Sequence, residues 1–448
     1  MQACAIKFWA IILLAMAGIT AQAQEVSPYS RYGMGDIQSP NFAAARSMGG
    51  LSAAYRDGYN INSANPASYS MLRFVTFETG LVASNRWLST ANSSYKAGDG
   101  FLDYVAMAFP FHNGKGTIST GLRPFSSMRY DLQGNYTDSS GSDYSRLYSG
   151  KGRTYDFYTG YGHNFVFKDT LGIDRHSLSL GINAAYRFGQ LRYGEVLTLA
   201  DDPNALSARR NATLRVSDVI ITVGAQYRTC LNCGAVKDTS KHTKPLMLTL
   251  GVYGGTPTNM KSSLSSVFDR FYISGSNVIT IDTITNTDDG KIKLNMPAQM
   301  GFGATLGDYS RWQIGFDIKY TMWNGFKGLN QTEALKNSLR VGGGLEFVPN
   351  DQGRGFVRRS RYRVGGYFDS GYLDINGQSI SEYGMTFGVG VPMRPLNRGR
   401  DMLNIGLEAG SRGTTSNGLL QESFIRVSIG IVLNSATYDT WFQKRKYE

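Results

Sequence analysis

Long hydrophobic runs are what this chain of 448 residues lacks. After residue 24 no stretch approaches the roughly 18 consecutive apolar residues that a membrane-crossing helix needs, so no helical span is expected in the exported chain. Charge is sparse too, at 18% of residues, and the basic excess of +12 is scattered singly instead of gathered on one face. That pattern excludes nucleic acid as a partner and leaves contact with the anionic head groups of outer-membrane lipid and lipopolysaccharide as its use. Histidine is rare: His112, His163, His176 and His242 form no zinc-helix motif. No Gly-x-Ser-x-Gly elbow occurs, and Ser149-Gly150-Lys151-Gly152 lacks the leading glycine of a phosphate loop. The chain therefore carries none of the usual sequence marks of an enzyme, a metal site or a cofactor.

Cysteine is equally scarce, with three in all. Cys4 falls within residues 1–23, where Lys7 precedes the apolar run Phe8 to Ala15 and Ala21-Gln22-Ala23 offers a cleavage site, the pattern of a secretory signal peptide. The other two stand in Cys230-Leu231-Asn232-Cys233, at a predicted turn. In an oxidising compartment this pair reads first as a disulfide; half of a metal site with His242, a redox pair and two free thiols are the alternatives.

What the chain does contain is glycine, 53 residues, tyrosine, 27, and strict alternation. In Arg311 to Met322, Trp312, Ile314, Phe316, Ile318, Tyr320 and Met322 share one face and Arg311, Gln313, Gly315, Asp317 and Lys319 the other. A strand has a side-chain period of two, so this is a strand with one wet face. The same reading predicts strands at 73–87, 101–111, 115–131, 154–168, 176–192, 213–229, 245–257, 291–306, 311–323, 338–348, 360–370, 383–392, 402–411 and 423–434, about fourteen in all. Short turns such as Gly307 to Ser310 interleave with longer connections at 88–100, 132–153, 193–212 and 258–290, read as outer loops. A soluble sandwich or propeller has no reason for paired short and long connections, and no propeller-length repeat is present.

The expected fold is all-β: a 14-stranded antiparallel transmembrane β-barrel over 72–434, with an N-terminal lumenal plug over 24–71 and a basic, aromatic tail over 435–448. An even strand count places both termini on the periplasmic side of a Gram-negative outer membrane.

The run Arg46 to Ala54, with Gly49 and Gly50, then Asp57, then Asn62 to Ala67, stands directly before the first strand. This resembles the amino-terminal region of the FadL-like outer-membrane family, where a plug ends in Asn-Pro-Ala, here Asn65, Pro66 and Ala67, ahead of fourteen strands. The resemblance implies passive uptake of long-chain fatty acids or other hydrophobic small molecules past the plug, through an inward kink of the third strand that opens the wall. Arg123, Pro124 and Phe125 mark that lateral gate here, because proline cannot donate a ladder hydrogen bond.

The predicted inner wall is wetter than a fatty-acid pore requires. It carries Glu78, Arg187, Arg228, Asp317, Lys319, Arg340, Glu346, Arg361, Arg363, Asp369, Glu408 and Arg426, with Phe74, Met247, Tyr253, Tyr367 and Phe424 as the apolar residues able to face a ligand. That tension supplies the alternative, a closed, non-conducting scaffold resembling PorV-type members, which binds other envelope proteins in secretion or surface assembly.

Overall fold

The computed structural model describes residues 27–111, 115–137, 139, 141, 143–168, 174–199, 206–233, 245–274, 277–308, 310–326, 335–351, 353, 355–375, 377–393 and 401–435. The predicted signal peptide, the basic tail, His112 and His242 lie outside them. Among the described residues no helix is long and apolar enough to cross a membrane.

Fourteen antiparallel strands close into a barrel. They are β1 (Thr76–Ser89), β2 (Ser94–Phe111), β3 (Gly116–Thr137), β4 (Asp143–Lys168), β5 (Asp174–Leu199), β6 (Ser207–Cys230), β7 (Met247–Gly255 and Thr258–Ser274), β8 (Asn277–Met296 and Gln299–Gly307), β9 (Trp312–Thr321), β10 (Ser338–Phe347), β11 (Arg361–Asp369), β12 (Glu382–Pro392), β13 (Met402–Gly413) and β14 (Gln421–Asn434). Each pairs with its neighbours in order, and β14 pairs back onto β1 from Gln421–Ser89 to Asn434–Thr76, so the wall has no seam there. Alternation governs the faces: Ile314, Phe316 and Ile318 are exposed on the outside, whereas Gln313 and Asp317 are buried on the inside. Closure is what permits a sheet to stand in lipid, since every strand then satisfies its backbone through neighbours.

The wall is lopsided. β3 to β6 run 22 to 26 residues, and β9 to β14 only 9 to 14. The segments expected as outer loops at 132–153, 193–212 and 258–290 are therefore corrected: most of their residues are paired strand, as in Tyr136 opposite Tyr144, Leu197 opposite Ala208 and Asn277 opposite Ser274. Alternation fades there because both faces meet water above the bilayer, while the backbone still gains from pairing. This raised half-sheet curls over its own core of Met128, Tyr130, Leu191, Leu214, Met260 and Leu294, joined by Trp323 and Phe326 from the β9–β10 connection and by Met34. The opposite half ends lower, in loops closed by Leu373, Ile380 and Leu419 against Tyr29.

Residues 27–75 run down the lumen. Ser27 lies beside Glu422 and Arg129 at the raised end, and Asp57 beside Arg361 and Glu346 at the other. Ser27 and Asn434 are thus at opposite ends of the barrel; the two ends of the chain itself lie outside the described residues. An even strand count returns β14 to the level where β1 begins, but it places no constraint on the residues before β1.

Between β2 and β3 the ladder stops early. Pairing runs from Phe111–Gly116 only to Val105–Leu122. Above that point the free edge of β3 takes a two-residue strand from the lumenal segment, Asp36–Ile37 opposite Ser127 and Ser126, and the Gln38 N–H donates to the Phe125 carbonyl at 2.8 Å. On its other edge β3 shifts register against β4 between Pro124 and Ser126, leaving Phe125 as the extra residue of a bulge.

Candidate functional site

The site is the contact between the lumenal segment and the wall, and glycine makes it possible. A Cβ on Gly181 of β5 would fall 2.3 Å from the Pro66 carbonyl carbon, one on Gly251 of β7 2.0 Å from the Ala53 oxygen, and one on Gly365 of β11 2.3 Å from the Gly49 nitrogen. Only hydrogen fits at these places, so backbone lies on backbone around the lumen. Gly49 and Gly50 themselves adopt φ of +70° and +79°, where a side chain would be strained.

Charge pairs then fix the segment at three levels. At the raised end Asp36 meets Arg412 at 2.6 Å and Arg86 at 3.5 Å, Arg86 meets Glu422 at 3.0 Å, and the Ser27 hydroxyl donates to Glu422 at 2.6 Å. Midway, Arg46 pairs with Asp103 at 2.9 Å, and Asp317 accepts the N–H groups of Ser52 and Ala53. At the far end Asp57 pairs with Arg361 at 3.1 Å, and Glu346 takes both Arg361 and Arg363, at 3.0 and 2.7 Å. The Ile61 N–H donates to Glu78 at 2.8 Å. Every strand of the wall touches the segment; the others do so through Tyr104, Arg123, Gly162, Asn183, Gln226, Thr305, Gly344 and Thr386.

Burial by itself raises the Asp36 pKa, but the Arg412 and Arg86 guanidiniums outweigh it and hold the carboxyl below its usual range. A carboxyl depressed on folding stabilises above its unfolded pKa and loses that effect as the pH falls through the folded value. The Asp36 contacts at the raised end should therefore hold through mildly acid pH and loosen only below the ordinary carboxylate range. Hydrogen exchange of residues 27–37 across a pH series checks this; loosening near neutral pH would contradict it.

The larger cavity, about 230 Å³, lies between the segment and the wall. Its lining mixes Arg187, Lys319, Arg340, Asp369, Glu382 and Glu408 with as many apolar groups, among them Val82, Phe101, Phe125 and Trp323. A second space of about 130 Å³ at the far end is bounded by Asp57, Tyr59, Phe74 and Arg361. Of the five residues expected to face a ligand, Tyr253 and Tyr367 line the first, Phe74 the second, and Met247 and Phe424 neither. The Tyr367 hydroxyl is committed to Glu408 and Glu382 at 2.5 and 2.8 Å.

Arg123, Pro124 and Phe125 do sit together, where β2 and β3 part. Arg123 donates to the Ser63 hydroxyl at 2.7 Å, and the Arg187 guanidinium stacks 3.0 Å from the Phe125 ring centre. Asn65 is extended and caps the 3-10 turn Pro66–Met71, accepting from the Ala67 N–H at 3.1 Å. The wall begins beyond the Asn-Pro-Ala run, with β1 at Thr76, and Pro66 rests on β4 and β5. Cys230 and Cys233 are joined in a disulfide at the foot of β6, with Cα atoms 5.6 Å apart.

Residues 5–448 match the family model described as BamG. The chain belongs to the BamG family. Its fold is that of FadL-type outer-membrane barrels. The toluene transporter TodX of P. putida superposes with a TM-score of 0.52 at 16% identity, over 89% of this chain and 99% of that one. The toluene transporter TbuX of Ralstonia pickettii gives 0.51 at 12% identity, over 88% and 98%. A Pseudomonas aeruginosa FadL homologue gives 0.51 at 11% identity, over 89% and 97%. No curated protein matches the sequence.

The reading of the inner wall missed Asp36, Arg86, Asp103, Arg412 and Glu422. Arg412 and Glu422 each stand one residue beyond the predicted ends of their strands, and carrying the two-residue period onward from Glu408 and back from Phe424 would have found both. The glycines of the lumen were visible as composition but not as a contact surface.

Proposed function

We propose that this BamG-family barrel is a closed, non-conducting outer-membrane scaffold that binds partner proteins of the envelope in secretion or surface assembly, with its raised half-sheet on the outside. The observation that carries this reading is the lumenal segment, held on every strand by hydrogen bonds, ion pairs and backbone contact. It acts as a permanent plug, because breaking one buried pair strands a charge at a cost of about 3–5 kcal/mol. The cavity left beside it, about 230 Å³, has charged groups interspersed among its apolar ones and is below the ~300–1,000 Å³ of ordinary ligand pockets. Purification under mild detergent should return the barrel with other envelope proteins in fixed ratio, and planar bilayers should show no open-state conductance. Repeated isolation as a lone barrel would overturn it.

The unpaired stretch between β2 and β3 favours a second reading: uptake of hydrophobic molecules through the wall beside Pro124, as the toluene-transporter relatives in fold suggest. Under this reading Pro124→Ala, by allowing the ladder to close, lowers uptake several-fold in a still-folded protein. A deletion strain with normal uptake across a panel of fatty acids and aromatic hydrocarbons would end it.

A further inference from the structure

The turn from β10 to β11 lies at the end of the barrel opposite the raised half, and it folds outward. Within it Phe356–Arg359 makes one helical turn beside the foot of β12. The Tyr362 hydroxyl donates to the Val357 carbonyl at 3.1 Å. Tyr362 shares its face of β11 with exposed Val364 and Phe368, whereas Arg361 and Arg363 on the other face meet Glu346 in the lumen. The helical turn is therefore held against the lipid-facing side of the wall. Its height is fixed by strand length: β9 to β12 have only 9 to 11 residues, just enough for tilted strands to cross the hydrocarbon, so their ends lie at its boundary. Trp312, Phe347 and Tyr362 stand directly opposite one another there, on β9, β10 and β11. Such a row of rings marks the level where acyl chains give way to head groups.

At that level Phe356 and Val357 leave 61% and 56% of their surface open, and Arg358 and Arg359 follow them. Neither arginine is ion-paired among the described residues; Arg359 donates only to the Gly355 carbonyl, at 3.4 Å. We infer that this turn is a membrane foot: Phe356 and Val357 enter the boundary between acyl chains and head groups, and Arg358 and Arg359 hold the phosphate of an anionic phospholipid in the inner leaflet. An apolar pair at the boundary with cations beside it is the arrangement that binds an anionic lipid surface. A guanidinium matches a phosphate with two parallel hydrogen bonds while its stem lies along the apolar surface. Charge argues against cover by the chain itself. The neighbouring turn at this end, 394–400, carries Arg394, Arg398 and Arg400 and no acid, and the tail 436–448 sets Lys444, Arg445 and Lys446 against Asp439 and Glu448. The choice of leaflet rests on the orientation proposed above, with the raised half outside; the seat in lipid does not.

Phe356→Trp in the full exported chain, reconstituted in phosphatidylcholine vesicles, tests the seat, with wild-type emission subtracted. Lipid brominated high on its acyl chains should quench the added emission at least two-fold, and aqueous acrylamide should quench it less. Quenching by acrylamide alone places the foot in water, and protection from both places it under protein, the chain's own tail included; either result overturns the inference. Brominated phosphatidylglycerol, as a tenth of the lipid, should quench at least twice as strongly as brominated phosphatidylcholine at the same fraction. Arg358→Gln with Arg359→Gln should bring that ratio to one while the barrel keeps its heat-modifiable migration. Equal quenching by the two lipids in the Phe356→Trp protein, or a ratio untouched by loss of the arginines, overturns the phosphate assignment. The vesicles hold the barrel alone, so failure here leaves the scaffold reading standing, and a barrel purified without partners leaves the quenching unchanged. Trypsin added to intact cells should spare the turn 351–359; cleavage there would overturn the orientation and the inner-leaflet lipid together.

Discussion

Gly365→Val should yield a barrel that still closes but can no longer seat its lumenal segment. The new Cβ would meet the Gly49 nitrogen at 2.3 Å, the Met48 carbonyl carbon at 2.4 Å and the Gly343 oxygen at 2.8 Å, all of them backbone. Backbone cannot swing aside as a side chain does, so the segment must lift from β11 and take Met48, Leu51 and Tyr55 out of their small core. Overpacking alone costs about 1–3 kcal/mol, and the hydrogen bond from the Gly49 N–H to Thr386 at 2.9 Å is lost with it. Limited proteolysis should cut within residues 40–60 at least ten times faster than in the wild type, and bilayers should register conductance above that of the wild type. Gly325→Ala, at a position with nothing within 4 Å of the added carbon, is the matched control. Wild-type protection in the valine variant would refute the close backbone seat.

Arg86→Ala should release the segment from the raised end. The arginine is buried between Asp36 and Glu422, and Glu422 has no exposed surface. Its removal leaves two carboxylates sharing Arg412, a loss of about 3–5 kcal/mol for a broken buried pair. The two-residue strand Asp36–Ile37 depends on that anchor, so its pairing with Ser126 and Ser127 should open, and the unpaired edge of β3 should become accessible. Trypsin cleavage after Arg31 reports the release. Adding Glu422→Gln to Arg86→Ala removes the stranded charge together with its partner and should restore most of the protection. If the double variant is as open as the single one, side-chain volume and not charge holds this end.

These two predictions draw on different kinds of information. Strand number and order were legible in the chain because each strand has one face to lipid and one to water, and the period of two holds over the part of each strand that faces lipid. Arg361, Glu346, Asp317 and Glu78 could be assigned to the inner wall for the same reason. The place where β2 and β3 part was marked by Pro124, a residue that cannot complete a ladder. The height of β3 to β8 was not legible, because the alternation that reveals a strand comes from the lipid boundary and ceases above it.

The sequence by itself thus determined a closed fourteen-stranded barrel, which side chains face inward, and that a separate segment of about fifty residues precedes the wall. Only the tertiary structure decided how that segment runs. Ser27 at the raised end, Asp36 between Arg86 and Arg412, and Ala53 against Gly251 are contacts between residues up to 395 positions apart. Such contacts leave no periodic trace, since glycine and a paired charge read the same in sequence whether they face water, a partner or the chain's own backbone.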